Sequence, residues 1–368
     1  MKRYDFIIIG AGASGLSLAC HLAASPLHDR SILLVERSLH AHPNRTWAFW
    51  ERVGSPLGGP VPCSDIAFHT WRRLLVATPG RTLALRTHPY RYRAIHSADF
   101  HRSAYERLST FPNIEFLEGG VQAVADDQDA ARISAGGAEY QGQWVFDSRF
   151  GLAGFHPGRR YHYLRMQIRG WHIETQHPSF DPQVATFLDF RTPQMGQTRF
   201  LYVLPSDSHH ALVEHVACIP ATAKLLHEHE EEQALKHYIE HTLGVAGYAV
   251  VNQEDGVNPL TDCPFPRRWS PSSHVMRIGI AGGMLKPSTG FAFARIQRDS
   301  AAIVRSLLEH GHPFAVPRAR WPYRLFDPLA LWAMAGHGER VGSLLSALFR
   351  IGRTARILSF LDETGMPL

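Results

Sequence analysis

At 368 residues, with 45% hydrophobic and 19% charged residues, the chain is long enough for two or three domains of ~100–200 residues and is not compositionally disordered. The formal charge of +5 comes without a long lysine/arginine block, so nucleic acid is not expected as a partner, and no run of ~18 or more apolar residues is present to span a bilayer. The four cysteines, Cys20, Cys63, Cys218 and Cys263, form no C-x-x-C pair. That speaks against a zinc or dithiol site, fits a reducing, cytoplasmic compartment, and leaves each cysteine as a small core hydrophobe.

Tyr4–Ile9 (YDFIII) reads as a short buried strand. It starts so near Met1 that no signal peptide is expected. Ser14–Ala24 reads as a helix ending before Pro26, and Ser31–Glu36 as a second buried strand, together a parallel βαβ crossover. Strands and loops follow to Arg93, then a helix over Ser97–Leu108 and a strand over Ile114–Leu117. A hairpin is expected over Ala131–Tyr140 and a further strand over Trp144–Asp147. Alternation predicts an antiparallel set at Tyr163–Thr175, Thr186–Phe190, Arg199–Val203 and His210–Cys218. A charged helix is expected over Ala221–Gly244, a late apolar strand over Val275–Ala281, and mostly helix from Phe291 onward.

Between the first strand and helix stands Gly10-Ala-Gly12-Ala-Ser-Gly15, a G-x-G-x-x-G, with Glu36 ending the next strand. Gly10 permits the tight turn, Gly12 lets backbone approach a pyrophosphate, and Gly15 lets helix and strand pack closely. The helix N-terminus offers free N–H groups to the phosphates, and Glu36 is placed to accept from ribose hydroxyls. The fingerprint alone admits NAD or FAD. A late strand, the glycine turn Gly279–Gly283 and the loop Lys286-Pro287-Ser-Thr-Gly290 opening a helix favour FAD, because such a helix end suits the flavin pyrimidine. The expected fold class is α/β: a Rossmann-type FAD-binding domain (1–65, 94–160 and 250–300), an interleaved antiparallel-sheet substrate domain (66–93 and 161–249) and a helical C-terminal region (301–368).

Four further stretches resemble the lycopene cyclase family of flavoproteins. They are Asn44-Arg45-Thr-Trp47-Ala-Phe49-Trp50-Glu51, Phe187-Leu-Asp189-Phe-Arg191, Leu212-Val-Glu214, and Gly282-Gly283-Met-Leu-Lys286-Pro287-Ser-Thr-Gly290-Phe291-Ala-Phe293. The resemblance implies cofactor contacts from Arg45, Gly282, Gly283, Pro287 and Gly290, and a substrate lining of Trp47, Phe49, Trp50 and Phe291. It also implies reduced FAD as the active form, with NAD(P)H as donor, and a polyene isoprenoid such as lycopene as substrate. The family's strand often reads Glu-Glu-Thr or Glu-Asp-Thr; here it is Glu214-His215-Val216.

Such a cyclisation protonates an alkene, lets a second alkene attack the cation and releases a different proton, with no net redox change. It needs a buried protonated acid, aromatic faces for the cation and a site that excludes water. Glu214 and Asp189 are the candidate acids; a structural pair with Arg191 is the alternative for Asp189. His215, next to Glu214 on a strand, is expected to point to the other face. A polyene substrate implies peripheral membrane contact, for which Leu344–Leu361, apolar with three arginines, is a candidate, core packing being its alternative.

Other readings stay open: a flavin monooxygenase, against which Ile280 after Gly279 counts because those enzymes usually carry Gly-Asp there; a non-catalytic polyene-binding protein; and a cyclase of another prenylated substrate. Sequence does not fix the oligomeric state.

Overall fold

The first apolar run becomes an inner strand because both of its faces are buried. In the computed structural model, which describes residues 1–39, 44–54, 57, 59–60, 65–127, 129–270, 273–317 and 321–365, β1 (Lys2–Ile9) pairs in parallel with β2 (Ile32–Glu36) across the helix α1 (Ala13–Ala23). Cys63 lies outside the described residues; Cys20 and Cys218 are buried. Then come β3 (Thr46–Arg52), β4 (Ala67–Trp71), β5 (Arg73–Thr78), β6 (Arg81–Arg86) and β7 (Tyr90–His96). The helix α2 (Ser97–Leu108) leads to β8 (Ile114–Glu118), β9 (Val121–Asp126), β10 (Ala131–Ala135) and β11 (Ala138–Asp147).

The first sheet runs β8-β2-β1-β11-β10-β9. Where a hairpin and a separate strand were expected, β11 is continuous: its first half pairs with β10, and Tyr140–Asp147 pairs with β1. Gly142 allows this, since a Cβ there would stand 2.9 Å from Ile7 Cγ1. The glycine marks a close approach rather than a strand end.

β12 (Tyr163–Thr175), β13 (Val184–Asp189), β14 (Thr198–Pro205) and β15 (His210–Pro220) are followed by α3 (Glu228–His237), a wide turn at Tyr238–Thr242, and β16 (Tyr248–Thr261). The second sheet runs β16-β12-β15-β14-β13-β5-β6, and a small third one runs β3-β7-β4. The helix expected from Ala221 begins only at Glu228. The Gln167 side chain holds Leu226 instead, accepting its N–H at 2.9 Å and donating to its carbonyl at 3.0 Å. β16 was not anticipated, and its residues 250–261 belong with the second sheet through pairing with β12.

The late strand β17 (Val275–Arg277) pairs with β11 and stops short of Ala281, because Gly279 at φ +62° turns the chain into a tight single turn, Gly279–Gly282. Four helices close the chain: α4 (Phe293–His310), α5 (Trp321–Gly336), α6 (Gly338–Ile351) and α7 (Thr354–Leu361). α1, α2 and α4 bury one face of the first sheet around Leu16, Phe100 and Ile303. α3 covers one face of the second sheet through Leu235 and Tyr238, and α5–α7 pack on its other face through Leu331, Phe349 and Ile357. Gly342 lets α6 come close there; a Cβ would lie 2.6 Å from Phe190 Cγ. No helix among the described residues is long and apolar enough to cross a membrane.

Candidate active site

A cavity of about 700 Å³ runs from the mouth of the first sheet to the face of the second, between β3, the late loop and β16. Its first end is built by the glycines after β1. Gly10 sits at φ +95°, and a Cβ on Gly15 would stand 1.8 Å from the Gly10 carbonyl, so neither position admits a side chain. A Cβ on Gly12 would meet no protein atom within 4 Å. Gly12 faces the cavity with Ala13 and Ser14 at the start of α1, whose first turn carries no acidic residue. This cradle, open only where a phosphate would approach, fits a dinucleotide. Glu36 braces it: its carboxylate accepts the Ala11 N–H at 2.6 Å and the Arg37 N–H at 2.7 Å. Arg37, which sequence reasoning missed, lines the cavity, as does Arg45.

The late loop closes the middle. Gly279 approaches Ser14 so closely that a Cβ would be 2.5 Å from its Oγ. Gly282 and Gly283 shape the turn behind it and are not part of the cavity wall, whereas Gly290, at φ +74°, is. Pro287 also stands outside the wall. Its neighbour Lys286 is 1% exposed and donates to Asp327 of α5 at 3.0 Å and to Glu363 after α7 at 2.9 Å. These bonds tie the loop to the C-terminal helices. Ala292, Phe293 and Ile296, at the N-terminal end of α4, complete this part of the wall.

The far end is apolar and aromatic. Met166, Leu212, Val216 and Leu285 line it with Tyr92, Tyr202 and Phe291. Glu214 lies among them on β15, opposite Tyr202 in register. Part of its surface faces the cavity, yet its carboxyl is deep in the protein. Burial pushes its pKa well above the usual carboxylate value, and nearby Glu254 adds to the rise. Trp47 lines the cavity, with ring centroids 5.5 Å from Phe100 and 5.6 Å from Phe293. Phe49 is buried against Phe293 and Trp50 against Tyr92 at 4.4 Å, so both support the wall from behind.

Asp189, expected as a second acid, does not reach the cavity. The register irregularity between β13 and β14 sets it on the opposite sheet face from Phe187, and there it is fully buried, accepts a hydrogen bond from Tyr238 at 2.7 Å and is paired with Arg191 at 2.6 Å. His215 takes the same opposite face, as its position next to Glu214 required. Burial lowers its pKa to about 4.

The second acid at the cavity is Glu254, 6% exposed, on the unanticipated β16. It accepts the Thr46 N–H at 2.6 Å, and His172 Nε2 lies 3.6 Å from its other oxygen. Among the described residues, no group of histidine, cysteine and acidic side chains is arranged to hold a metal ion.

The chain is 24% identical over 315 residues to a chloroplastic neoxanthin synthase of Solanum tuberosum, covering 80% of this chain and 58% of that one. It is 23% identical over 326 residues to a chromoplastic capsanthin/capsorubin synthase of Citrus sinensis, covering 83% and 60%. The chain thus spans about three-fifths of the length of these relatives. Among solved structures, p-nitrophenol 4-monooxygenase from Pseudomonas putida superposes with a TM-score of 0.71 at 15% identity over all of both chains. A geranylgeranyl bacteriochlorophyll reductase-like protein from Thermoplasma acidophilum gives 0.62 at 14% identity, over 100% of this chain and 93% of that one. These likenesses show the fold, a mixed α/β architecture with a Rossmann-type unit of the kind found in flavoenzymes. The family model described as lycopene cyclase protein matches residues 5–365, and the chain belongs to that family.

Proposed function

We propose that the protein binds FAD and cyclises the terminal isoprenoid end of a polyene, of the lycopene β-cyclase type, by proton-initiated chemistry without net redox change. The observation that carries this reading is Glu214, an acid whose protonated form is favoured by burial, facing an aromatic, apolar chamber continuous with a dinucleotide cradle. Gly12, Ala13 and Ser14 would hold the pyrophosphate, Arg37 and Arg45 would balance its charge, and Gly279, Gly290 and Phe291, which line the same cavity, would hold the flavin. Bound and kept reduced by a donor such as NAD(P)H, FAD would supply an electron-rich ring.

The protein's own residues do the rest. The Glu214 carboxyl gives its proton to a terminal alkene carbon; the second alkene attacks the cation, and a different proton leaves the new ring for the Glu214 carboxylate, which restores the acid. The faces of Tyr92, Tyr202 and Phe291 stabilise the cation, and Met166, Leu212 and Val216 keep water from trapping it.

The substrate's hydrophobicity calls for a lipid source, and α5 offers a surface for one. Trp321, Leu325, Leu329 and Trp332 follow helical spacing and are 73%, 55–60% and 51% exposed in turn. Exposed Arg324, Arg340, Arg350 and Arg356 stand on this helix and the next two, with exposed Arg353 before the last, against one exposed acid, Glu339. That stripe with a basic surround fits an anionic bilayer surface. The expected segment Leu344–Leu361 contributes only Leu344 and Ile351 as exposed large apolar residues, since Ile357 and Leu358 are buried in the core.

Anaerobic incubation with lycopene, FAD and NADPH in anionic vesicles tests the reading. A product of unchanged mass and altered retention, absent with Glu214→Gln, is expected. A gain of oxygen that needs air would make the protein a monooxygenase. Flotation with anionic but not neutral vesicles, lost in Leu325→Glu/Leu329→Glu, tests the docking face; flotation unaffected by these changes would remove it.

A further inference from the structure

The cavity-facing side of the second sheet brings two carboxylates to one place. On β12, Gly170 pairs with Glu214 of β15 on one side and Glu254 of β16 on the other. Directly opposed residues in adjacent strands project to the same face. A Cβ on Gly170 would stand 3.0 Å from Glu254 Cγ and 3.6 Å from Glu214 Cγ. The glycine therefore opens the gap through which the two side chains approach one another. Both line the cavity, although they come from strands 40 positions apart in sequence.

Their surroundings differ. Glu254 accepts a backbone N–H from Thr46 and lies beside His172, whose ring is 6.1 Å from that of His96. Glu214 faces Tyr202 from β14 and Tyr92 from β7. Arg45 stands further along, its guanidinium 3.8 Å from the Cβ position of Gly256. Asp255, exposed, also borders the cavity but stands opposite Arg169 in register, one residue along from Glu254. One carboxylate thus accepts a backbone N–H, which suits its charged form, and the other has aromatic and apolar neighbours suited to its neutral form.

Resting on the reading of Glu214 as the proton donor, we infer that Glu214 and Glu254 form a one-proton pair across Gly170, in which Glu254 is the ionised positioning residue that keeps the proton on Glu214. Two like charges flanking a single glycine do not both form readily, and the proton settles where hydrogen bonding to an anion is poorer. Glu254 is thus the partner acid on the cavity side, which position 215, on the opposite sheet face, could not supply.

The test is an infrared pH titration of the protonated-carboxyl stretch in the full-length protein as purified, paired with the pH profile of turnover. In the wild type protonated carboxyls persist above the ordinary range; burial also raises Glu231, to about 7, and Asp362, so the component read is the part lost in Glu214→Gln. In Glu254→Gln, whose amide oxygen still accepts from Thr46, the midpoint is expected to fall by about one pH unit or more, a roughly tenfold loss of protonated fraction on the basic side. The basic limb of kcat should move with it while KM stays put, and Glu254→Asp should restore both. Gly170→Ala, whose Cβ would press on the Glu254 side chain, should disturb the midpoint with both acids still present. A Glu254→Gln midpoint that stays or rises in a folded protein overturns the pair. A midpoint that falls in a protein that turns over no polyene upholds the pair and overturns the cyclase reading.

Discussion

Replacing Lys286 with methionine removes a buried cation while roughly keeping its volume. The ammonium is 1% exposed and lies 3.0 Å from Asp327 and 2.9 Å from Glu363, whose side chains are 10% and 14% exposed. Breaking a buried ion pair from one side costs about 3–5 kcal/mol, because the partner is left charged and dry. Glu363 keeps Arg295 at 3.5 Å, so most of this cost falls on Asp327. The double variant Lys286→Met/Asp327→Asn should recover at least half of the loss. Burial works to raise the Glu363 carboxyl, but Arg295 and Lys286 outweigh it and hold the group below its ordinary 4.5. A depressed carboxyl contributes stability that is present above its unfolded pKa and is lost as pH falls through the folded value. The gap between wild type and Lys286→Met should accordingly be widest above pH 4.5 and shrink below it. Urea unfolding followed by tryptophan fluorescence measures the cost, and retained flavin reports whether the loop keeps its place. A loss under about 1 kcal/mol, or no recovery in the double variant, would refute the claim that this pair locks the loop.

Gly15→Ala should prevent normal folding of the first βαβ unit, because its Cβ would overlap the Gly10 carbonyl; Gly12→Ala, which meets no protein atom, should leave unfolding unchanged yet lower flavin retention. Equal flavin retention in Gly12→Ala and wild type would count against the cradle. Asp189→Asn should lose about 2–3 kcal/mol of stability through its bonds to Arg191 and Tyr238 while the folded fraction keeps its turnover per molecule. Glu214→Gln should do the reverse, keeping its stability and losing on the order of 10²–10⁴ in rate; loss of turnover per folded molecule in Asp189→Asn would restore it as a chemical group. Burial holds His215 near a pKa of about 4, with Arg199 adding to the fall. Its contribution is thus fully present above about pH 6.5 and lost toward pH 4, about 3 kcal/mol in all. His215→Leu should flatten that acid limb in thermal melts, and an unchanged limb would remove His215 as its cause.

The parts of the fold with a strong local signal were legible. Tyr4–Ile9 and the following glycines announce a strand, turn and helix whose geometry hardly depends on the rest of the chain. α2 was read residue for residue, because its apolar face recurs with helical spacing through Phe100, Ala104 and Leu108. β16 was not legible: Gln253-Glu254-Asp255-Gly256 has poor strand propensity, and only pairing with β12 along its length makes it extended. Glu254 was hidden for the same reason. Glu214 was visible as an acid in an apolar strand, whereas Asp189 sits in an equally apolar strand and serves structure. The two are distinguished by sheet face, and the register change between β13 and β14 that sets this face leaves no mark in the sequence. Tyr92 and Tyr202 went unnoticed because a tyrosine in a strand is ordinary until the third sheet and the second are seen to face one cavity.

The most direct test of proton-initiated cyclisation is the mass of the product formed anaerobically from lycopene in D2O with reduced FAD. The account predicts one deuterium gained per ring closed, from the exchanged acid, with a product isomeric to lycopene in H2O and no rings with Glu214→Gln. Cyclised product without deuterium, or an added oxygen on admission of air, would contradict it.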